Sequence, residues 1–263
     1  MIQLDERQYS IILEPLRQVN FNTLFVRSVI AGHTEGKIFV NSVHNPKSFY
    51  VVHSYGKMSL LFGDADNRQF NNDLFSYFKQ ESTKREFDEW LQAYPRAWDS
   101  KLQELVSANI IKQYSRLNFS FDKKEYEKNN CQITLNNYHI VPTTIEMFMS
   151  IKGSVVPGAF WRNERLFHEK CVSFTVMIDN EPASTAFTSY LHDEYLEIGI
   201  ETMEKYRGRG LARVACMALI NYCLENKLEP VWSCRLENIA SANLAKYLGF
   251  QETLRLPYYH VPA

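Results

Sequence analysis

From Lys170 onward the chain switches between two kinds of hydrophobic spacing. Alternating runs at Lys170 to Ile178, Ala183 to Leu191 and Tyr195 to Met203 predict three strands; the first two are joined by D-N-E-P, whose polar residues and proline favour a turn. In the third, Leu196, Ile198 and Ile200 share one face while Glu197, Gly199 and Glu201 share the other. The spacing then lengthens to three and four. Leu211, Val214, Ala215, Ala218, Leu219, Tyr222 and Cys223 mark the buried face of a helix ending near Lys227, ahead of Pro230. Val231 to Arg235 reads as a short strand, Asn238 to Leu248 as a helix stopped by Gly249, and Phe250 to His260 as a final strand. Upstream, Cys131 to Val141 predicts a strand and Thr143 to about Lys152 a helix, with irregular structure or a short helix around V-P-G-A-F-W, Val156 to Trp161.

The N-terminal half shows elements in a similar order. Helices at about Asp5 to Gln18 and Asn22 to Ala31 precede strands at Lys37 to Val43, Ser48 to Ser54 and Lys57 to Phe62. A helix at Gln69 to Lys79, a strand ending near Trp90, a helix from Pro95 to Val106 and a strand from Ile110 to Phe121 follow. Sliding the sequence by 142 residues puts Trp90 on Trp232 and Leu102 on Leu244, a pattern that duplication and coincidence both produce. The charged run D-K-K-E-Y-E-K-N-N, Asp122 to Asn130, reads as a solvated linker. The expected division is therefore 1–121, a linker at 122–130, and 131–263.

Composition narrows the partners. The chain has 263 residues, 45% of them hydrophobic, enough for one large or two ordinary globular domains. With 29 basic and 30 acidic side chains the net charge of -1 gives no general attraction to nucleic acid or an anionic membrane, so a small-molecule partner is expected. No membrane-length apolar run occurs and M-I-Q-L-D-E-R-Q lacks the features of a signal peptide, which predicts a cytoplasmic protein. The five cysteines form no C-x-x-C pair, and the seven histidines show no metal-ligand spacing, so neither a disulfide framework nor a metal is expected.

The chemistry is concentrated after the third strand of the C-terminal half, in E-K-Y-R-G-R-G-L-A-R. Glycines let backbone approach a ligand and a helix start presents unpaired N–H groups, an arrangement suited to an anion. A nucleoside-triphosphate loop would need a lysine followed by Ser or Thr, which is missing, and a dinucleotide fingerprint would need glycine where Arg213 stands. What remains is R-x-x-G-x-A, formed by Arg207, Gly210 and Ala212 between a strand and an amphipathic helix. Together with Asn238, Ser241, Leu244 and the L-G-F at 248–250, this motif resembles the GNAT superfamily of N-acetyltransferases over about Cys131 to His260. Within it, I-G-I-E-T-M-E-K-Y-R-G-R-G-L-A and E-P-V-W-S-C look most like the branch of antibiotic self-resistance enzymes that acetylate zwittermicin A.

The resemblance implies an α/β (α+β) fold: a mixed, mostly antiparallel sheet with flanking helices, preceded here by a degenerate GNAT-like domain. It also implies acetyl-CoA as acyl donor. The backbone of Arg207, Gly208, Arg209, Gly210, Leu211 and Ala212 would cradle its pyrophosphate. Ile200, Thr202 and Met203, at the end of a bulged strand, would meet the thioester and pantetheine arm. Asn238 and Ser241 would bind the same arm, Asn238 serving equally as a helix N-cap.

An amine of pKa near 10 must lose a proton before attack. Glu201 and Glu197 are the candidate bases, roughly 13 Å apart along an extended strand, so one acts directly; Glu201, expected nearer the bulge, is the favoured base and Glu197 reads better as a solvated or salt-bridged strand carboxylate. Where many family members place a glutamate on the next strand, this chain has Ser233, and where many place a tyrosine before L-G-F it has Ala245, with Tyr247 two residues further on. Trp161, Trp232 and Tyr190 are candidates for an acceptor pocket, although large aromatics of this kind more often form core. Two other functions stay open: a non-catalytic acyl-CoA sensor, and a tandem GNAT-like aminoacyl transferase using charged transfer RNA.

Overall fold

A computed structural model describes residues 1–81, 85, 87–129 and 138–263. Its contacts form two compact units: residues 1–116, 235–237 and 255–263 make the first, and residues 117–234 and 238–254 the second. The chain thus returns to the first unit with its last residues, and residues 250–254 of the same final strand belong to the second.

In the first unit, β1 (Ile2–Gln3), β2 (Gly36–Val40), β3 (Ser48–His53), β4 (Met58–Gly63) and β5 (Glu89–Tyr94) lie in sequence order, antiparallel except for the β4–β5 pair. Residues 259–261 flank β5 antiparallel on its other side. Short helices α1 (Leu13–Leu16) and α2 (Leu24–Ile30) come before β2. Helix α3 (Arg68–Phe78) links β4 to β5, and α4 (Ala97–Ser107) follows. Their apolar positions, including Phe70, Leu74, Trp98 and Leu102, bury against Tyr50, Leu61, Leu91 and Tyr259. β5 starts just before Trp90, where the pattern puts a strand's end. Parallel pairing of Trp90 to Tyr94 with Met58 to Phe62 carries it on to Pro95, which has no N–H to donate.

β6 (Lys112–Phe121) leads from the first unit into the second. Residues 123–129 of the expected solvated linker form helix α5 (Lys123–Asn129). Its charged residues leave one apolar anchor, Tyr126, which is buried and donates from its hydroxyl to Asn221 Oδ1 at 2.7 Å. Of the strand expected over 131–141, residues 131–137 lie outside the described residues; the rest begins β7 (His139–Pro142). Helices α6 (Ile145–Ser150) and α7 (Glu164–Lys170) follow, the second not foreseen from the pattern and capped by Asn163. Then come β8 (Ser173–Ile178), β9 (Glu181–His192), β10 (Tyr195–Thr202), α8 (Leu211–Glu225), β11 (Glu229–Arg235), α9 (Ile239–Tyr247) and β12 (Phe250–Val261).

β7 to β10 are antiparallel neighbours and β10 pairs parallel with β11, so the mixed α/β architecture with a mostly antiparallel sheet is as the family resemblance implies. The β8–β9 turn is made by Asp179 and Asn180, both left-handed (φ 49° and 64°), as a two-residue hairpin turn requires. Strand, strand, helix, strand, helix, strand recurs in both units: β3-β4-α3-β5-α4-β6 and β9-β10-α8-β11-α9-β12. Among the described residues no helix is long and apolar enough to cross a membrane.

Candidate active site

The two parallel strand pairs differ in a way that makes one unit open and the other closed. In the second unit the β10–β11 register covers only Tyr195, Leu196 and Glu197 against Glu229, Pro230 and Val231. Beyond Glu197 the strands part among the described residues, while β10 keeps its antiparallel partners on β9 through Thr202. In the first unit β4 and β5 stay paired over five residues, Met58 to Phe62.

The glycine loop stands at the end of the parted strand. Gly208 and Gly210 are both left-handed, φ 77° and 78°, a conformation that costs a residue with a Cβ roughly 1–2 kcal/mol. A Cβ at Gly208 would meet no protein atom within 4 Å, so the loop borders open space. Gly210 is the N-cap of α8, and among the described residues no side chain caps that helix. The helix start thus offers its N–H groups and partial positive charge to an anion. The same place in the first unit is sealed. Asn67 Oδ1 caps α3 by accepting from Phe70 N–H at 3.0 Å, and the preceding loop, G-D-A-D, carries Asp64 and Asp66.

The arginines of the loop are mostly engaged by the protein. Arg207 donates from Nε to the Thr202 carbonyl (3.1 Å) and from Nη2 to Glu201 Oε1 (3.2 Å). Arg209 lies over the Tyr206 ring at 5.3 Å, and Arg213 lies over the Tyr247 ring at 3.6 Å while donating to the Asn129 carbonyl. The N–H groups at the start of α8, with no side-chain cap, are what the loop's backbone offers an anion beside these guanidinium groups. Of the other candidates, the Met203 N–H donates to the Ala183 carbonyl, Asn238 Oδ1 accepts from Ser241 N–H as an N-cap, and Ser241 Oγ accepts from Trp232 Nε1.

The two glutamates have opposite surroundings. Both are buried, 6% and 8% exposed, so neither is a solvated strand residue. Glu197 sits at the last paired position before the strands part, and Ser233 on β11 donates its hydroxyl to Glu197 Oε1 at 2.6 Å. The register shift between β9 and β10 is also here: Tyr190 faces Glu197 and Thr188 faces Ile198, which makes Ser189 of β9 the extra residue. The expectation of a bulge in the strand itself, close to Glu201, is thus corrected in both strand and position. Ser189 Oγ donates to the Glu197 carbonyl at 2.9 Å and holds the irregular turn of the ladder.

Glu201 is occupied on every side. Its Oε2 accepts from the N–H groups of Ser154 (2.8 Å) and Val155 (3.0 Å), and its Oε1 from Arg207 Nη2 and from Thr202 N–H, each at 3.2 Å. A Cβ on Gly153 would come within 2.3 Å of Oε2, so glycine is needed for this approach.

The segment that Glu201 holds borders a cavity of about 690 Å³ whose walls include Phe148, Val156, Trp161, Arg162 and Arg165. Trp161 is anchored there by its Nε1–H to the Thr188 carbonyl at 2.8 Å. The other two aromatic candidates belong to the core: Trp232 is buried 5.5 Å from Phe250, and Tyr190 is buried 5.4 Å from Phe160. Sequence reasoning found Trp161 but not Phe148, Arg162 or Arg165, which come together through the fold of residues 148–165 and carry no spacing signal.

Comparison with known proteins agrees with this architecture. A family model described as GNAT acetyltransferase matches residues 15–259. The chain is 27% identical over 263 residues to the uncharacterized N-acetyltransferase YdfB of Bacillus subtilis (strain 168), covering 98% of this chain and 97% of that one. It is similar to the crystal structure of a GCN5-related N-acetyltransferase-like protein from Streptococcus suis 89/1591, with TM-score 0.72, 19% identity and coverage of 96% and 98%. A tandem GNAT protein from the clavulanic acid biosynthesis pathway matches with TM-score 0.64 and 10% identity over 98% of this chain and 94% of that one. At those identities the two structures speak for the fold.

Proposed function

The chain belongs to the GNAT acetyltransferase family as an N-acetyltransferase, and on that premise we propose that it moves an acetyl group from acetyl-CoA to a primary amine of a small molecule by direct attack. The observation that carries this reading is the opening between β10 and β11, with an uncapped helix start and two left-handed glycines at one end and a buried carboxylate at the other. Bound acetyl-CoA supplies an activated acyl group and a thiol as leaving group.

The residues of this chain have separate tasks. The N–H groups from Gly208 to Ala212 face the pyrophosphate, with the α8 dipole adding its field. The unpaired edge of β10 past Glu197, including Ile200, faces the pantetheine arm. Glu197 accepts the proton of the incoming ammonium. In this role its contact with Ser233 matters, because the carboxylate missing from β11 is replaced by one reaching the same spot from β10. The departing thiolate, with an ordinary thiol pKa of about 8.5, leaves without a dedicated acid.

The acceptor we propose is a small primary amine, with aminopolyol antibiotics as the class suggested by the run from Ile198 to Ala212. What speaks against the sensor alternative is Glu197, which reaches Ser233 of β11 from β10. The test is thiol release from acetyl-CoA across a panel of amines, together with titration of coenzyme A. We expect amine-dependent release and one coenzyme A per chain, since Asn67, the fully paired β4–β5 ladder and the loop carboxylates close the first unit. Absence of coenzyme A binding would overturn the reading, and two per chain would overturn the closed first unit.

A further inference from the structure

Glu201 is a buried carboxylate with five donors, the Ser154 hydroxyl at 3.5 Å among them, drawn from three parts of the second unit: the segment after α6, the end of β10 itself, and the first arginine of the glycine loop. A proton acceptor needs a lone pair turned toward its substrate, and here the two oxygens are already shared among backbone N–H groups and a guanidinium. What those bonds do is mechanical. They tie Ser154 and Val155 down onto β10, just ahead of Val156 and Trp161 in the cavity wall. Gly153 is the residue that permits it, because any side chain there would collide with the carboxylate. The segment continues onto the same sheet face through Phe160, which meets Phe187 and Tyr190 edge-on at 5.4 Å. Phe187 and Tyr190 are the β9 partners of Gly199 and Glu197.

We propose that Glu201 is a positioning residue: it sets the cavity wall at residues 153–161 relative to Glu197, and through Arg207 ties that wall to the glycine loop. The proposal rests on the acetyltransferase reading and assigns the cavity to the amine. It separates two carboxylates four residues apart on one strand face into one that takes a proton and one that holds the acceptor's wall in place.

Two variants test it by different routes. Glu201→Gln keeps one acceptor oxygen but loses the charge that holds Arg207, and Gly153→Ala pushes the segment away while leaving the carboxylate intact. Both are expected to raise the amine's KM roughly tenfold, with kcat within about threefold of the unmodified protein and an unchanged pH profile of kcat. In both, hydrogen exchange at Ser154 and Val155 should speed up while α8 keeps its protection and coenzyme A affinity stays within about threefold. A loss of kcat of about 100-fold in Glu201→Gln with KM preserved, or removal of the acidic limb of its pH profile, would make Glu201 the base and overturn the proposal. Unchanged exchange at Ser154 and Val155 in Glu201→Gln would overturn it as well. The exchange measurement needs no acceptor, so failure of every amine in the panel would count against the acetyltransferase reading and leave this test standing.

Discussion

Ser233 Oγ lies 2.6 Å from Glu197 Oε1, across the point at which β10 and β11 stop pairing. The contact joins the two strands of the opening through a hydroxyl and a carboxylate that are 36 residues apart in sequence. If Glu197 takes the ammonium proton, Glu197→Gln should lower kcat by at least about 100-fold with coenzyme A affinity kept. Ser233→Ala, which removes one hydrogen bond from the carboxylate, should cost roughly five- to tenfold. Both are checked by initial rates with calorimetric titration of coenzyme A. A silent Glu197→Gln would remove Glu197 from the mechanism.

Gly210 tests the anion loop. Its φ of 78° and its place as the α8 N-cap mean that Gly210→Val adds a branched side chain in a left-handed conformation beside the N–H groups. Strain of roughly 1–2 kcal/mol on the bound conformation predicts about a tenfold or larger loss of coenzyme A affinity. Calorimetry showing unchanged affinity would place the pyrophosphate elsewhere.

Tyr247 invites assignment as a catalytic acid, and its surroundings argue for packing. Two residues along a helix rotate a side chain by about 200° from the position of Ala245. The Tyr247 hydroxyl donates to the Asn129 carbonyl at 3.1 Å and its ring carries the Arg213 guanidinium. Tyr247→Phe keeps the stacking and loses one partly exposed hydrogen bond, so turnover should stay within about twofold and stability should fall by less than about 1 kcal/mol. A large drop in turnover with coenzyme A affinity preserved would restore the tyrosine to the chemistry. Ala245 itself is fully buried, which leaves no room for Ala245→Tyr.

Acid–base behaviour of the first unit should be dominated by Glu89. Burial raises its carboxyl above the usual range, outweighing the hydroxyl groups of Tyr50 and Tyr77 that donate to it. A raised folded-state pKa means the folded chain binds the extra proton. Glu89's contribution to stability is therefore full below the unfolded glutamate value of about 4.3 and is lost as pH rises through the folded value. Glu89→Gln should flatten the fall in melting temperature as pH rises above the unfolded glutamate value of about 4.3, measured by thermal unfolding. An unchanged slope would mean that Glu89 does not titrate differently in the folded protein.

Much of this was legible in the residues because it is local. Gly208 and Gly210 suit a left-handed backbone, Asp179 and Asn180 suit a hairpin turn, and Asn238 caps a helix three residues ahead of the N–H it accepts from. The alternation along β10 and the three-and-four spacing along α8 likewise record which face is buried, so the order β8 to β12 around the glycine loop follows from sequence alone, whereas α5 and α7 do not. The roles of the glutamates do not. Glu197 and Glu201 are equivalent in spacing and face, and what separates them is Ser233 on one side and Ser154 with Val155, 47 and 46 residues away, on the other. The same holds for the end of the chain: β12 reads as one strand, yet its first residues belong to the second unit and residues 259–261 pair with β5 of the first. Strand partners, the extent of a parallel ladder and the company of a buried carboxylate are set by contacts between segments far apart in the chain, and only the folded protein chooses among the pairings that local pattern allows.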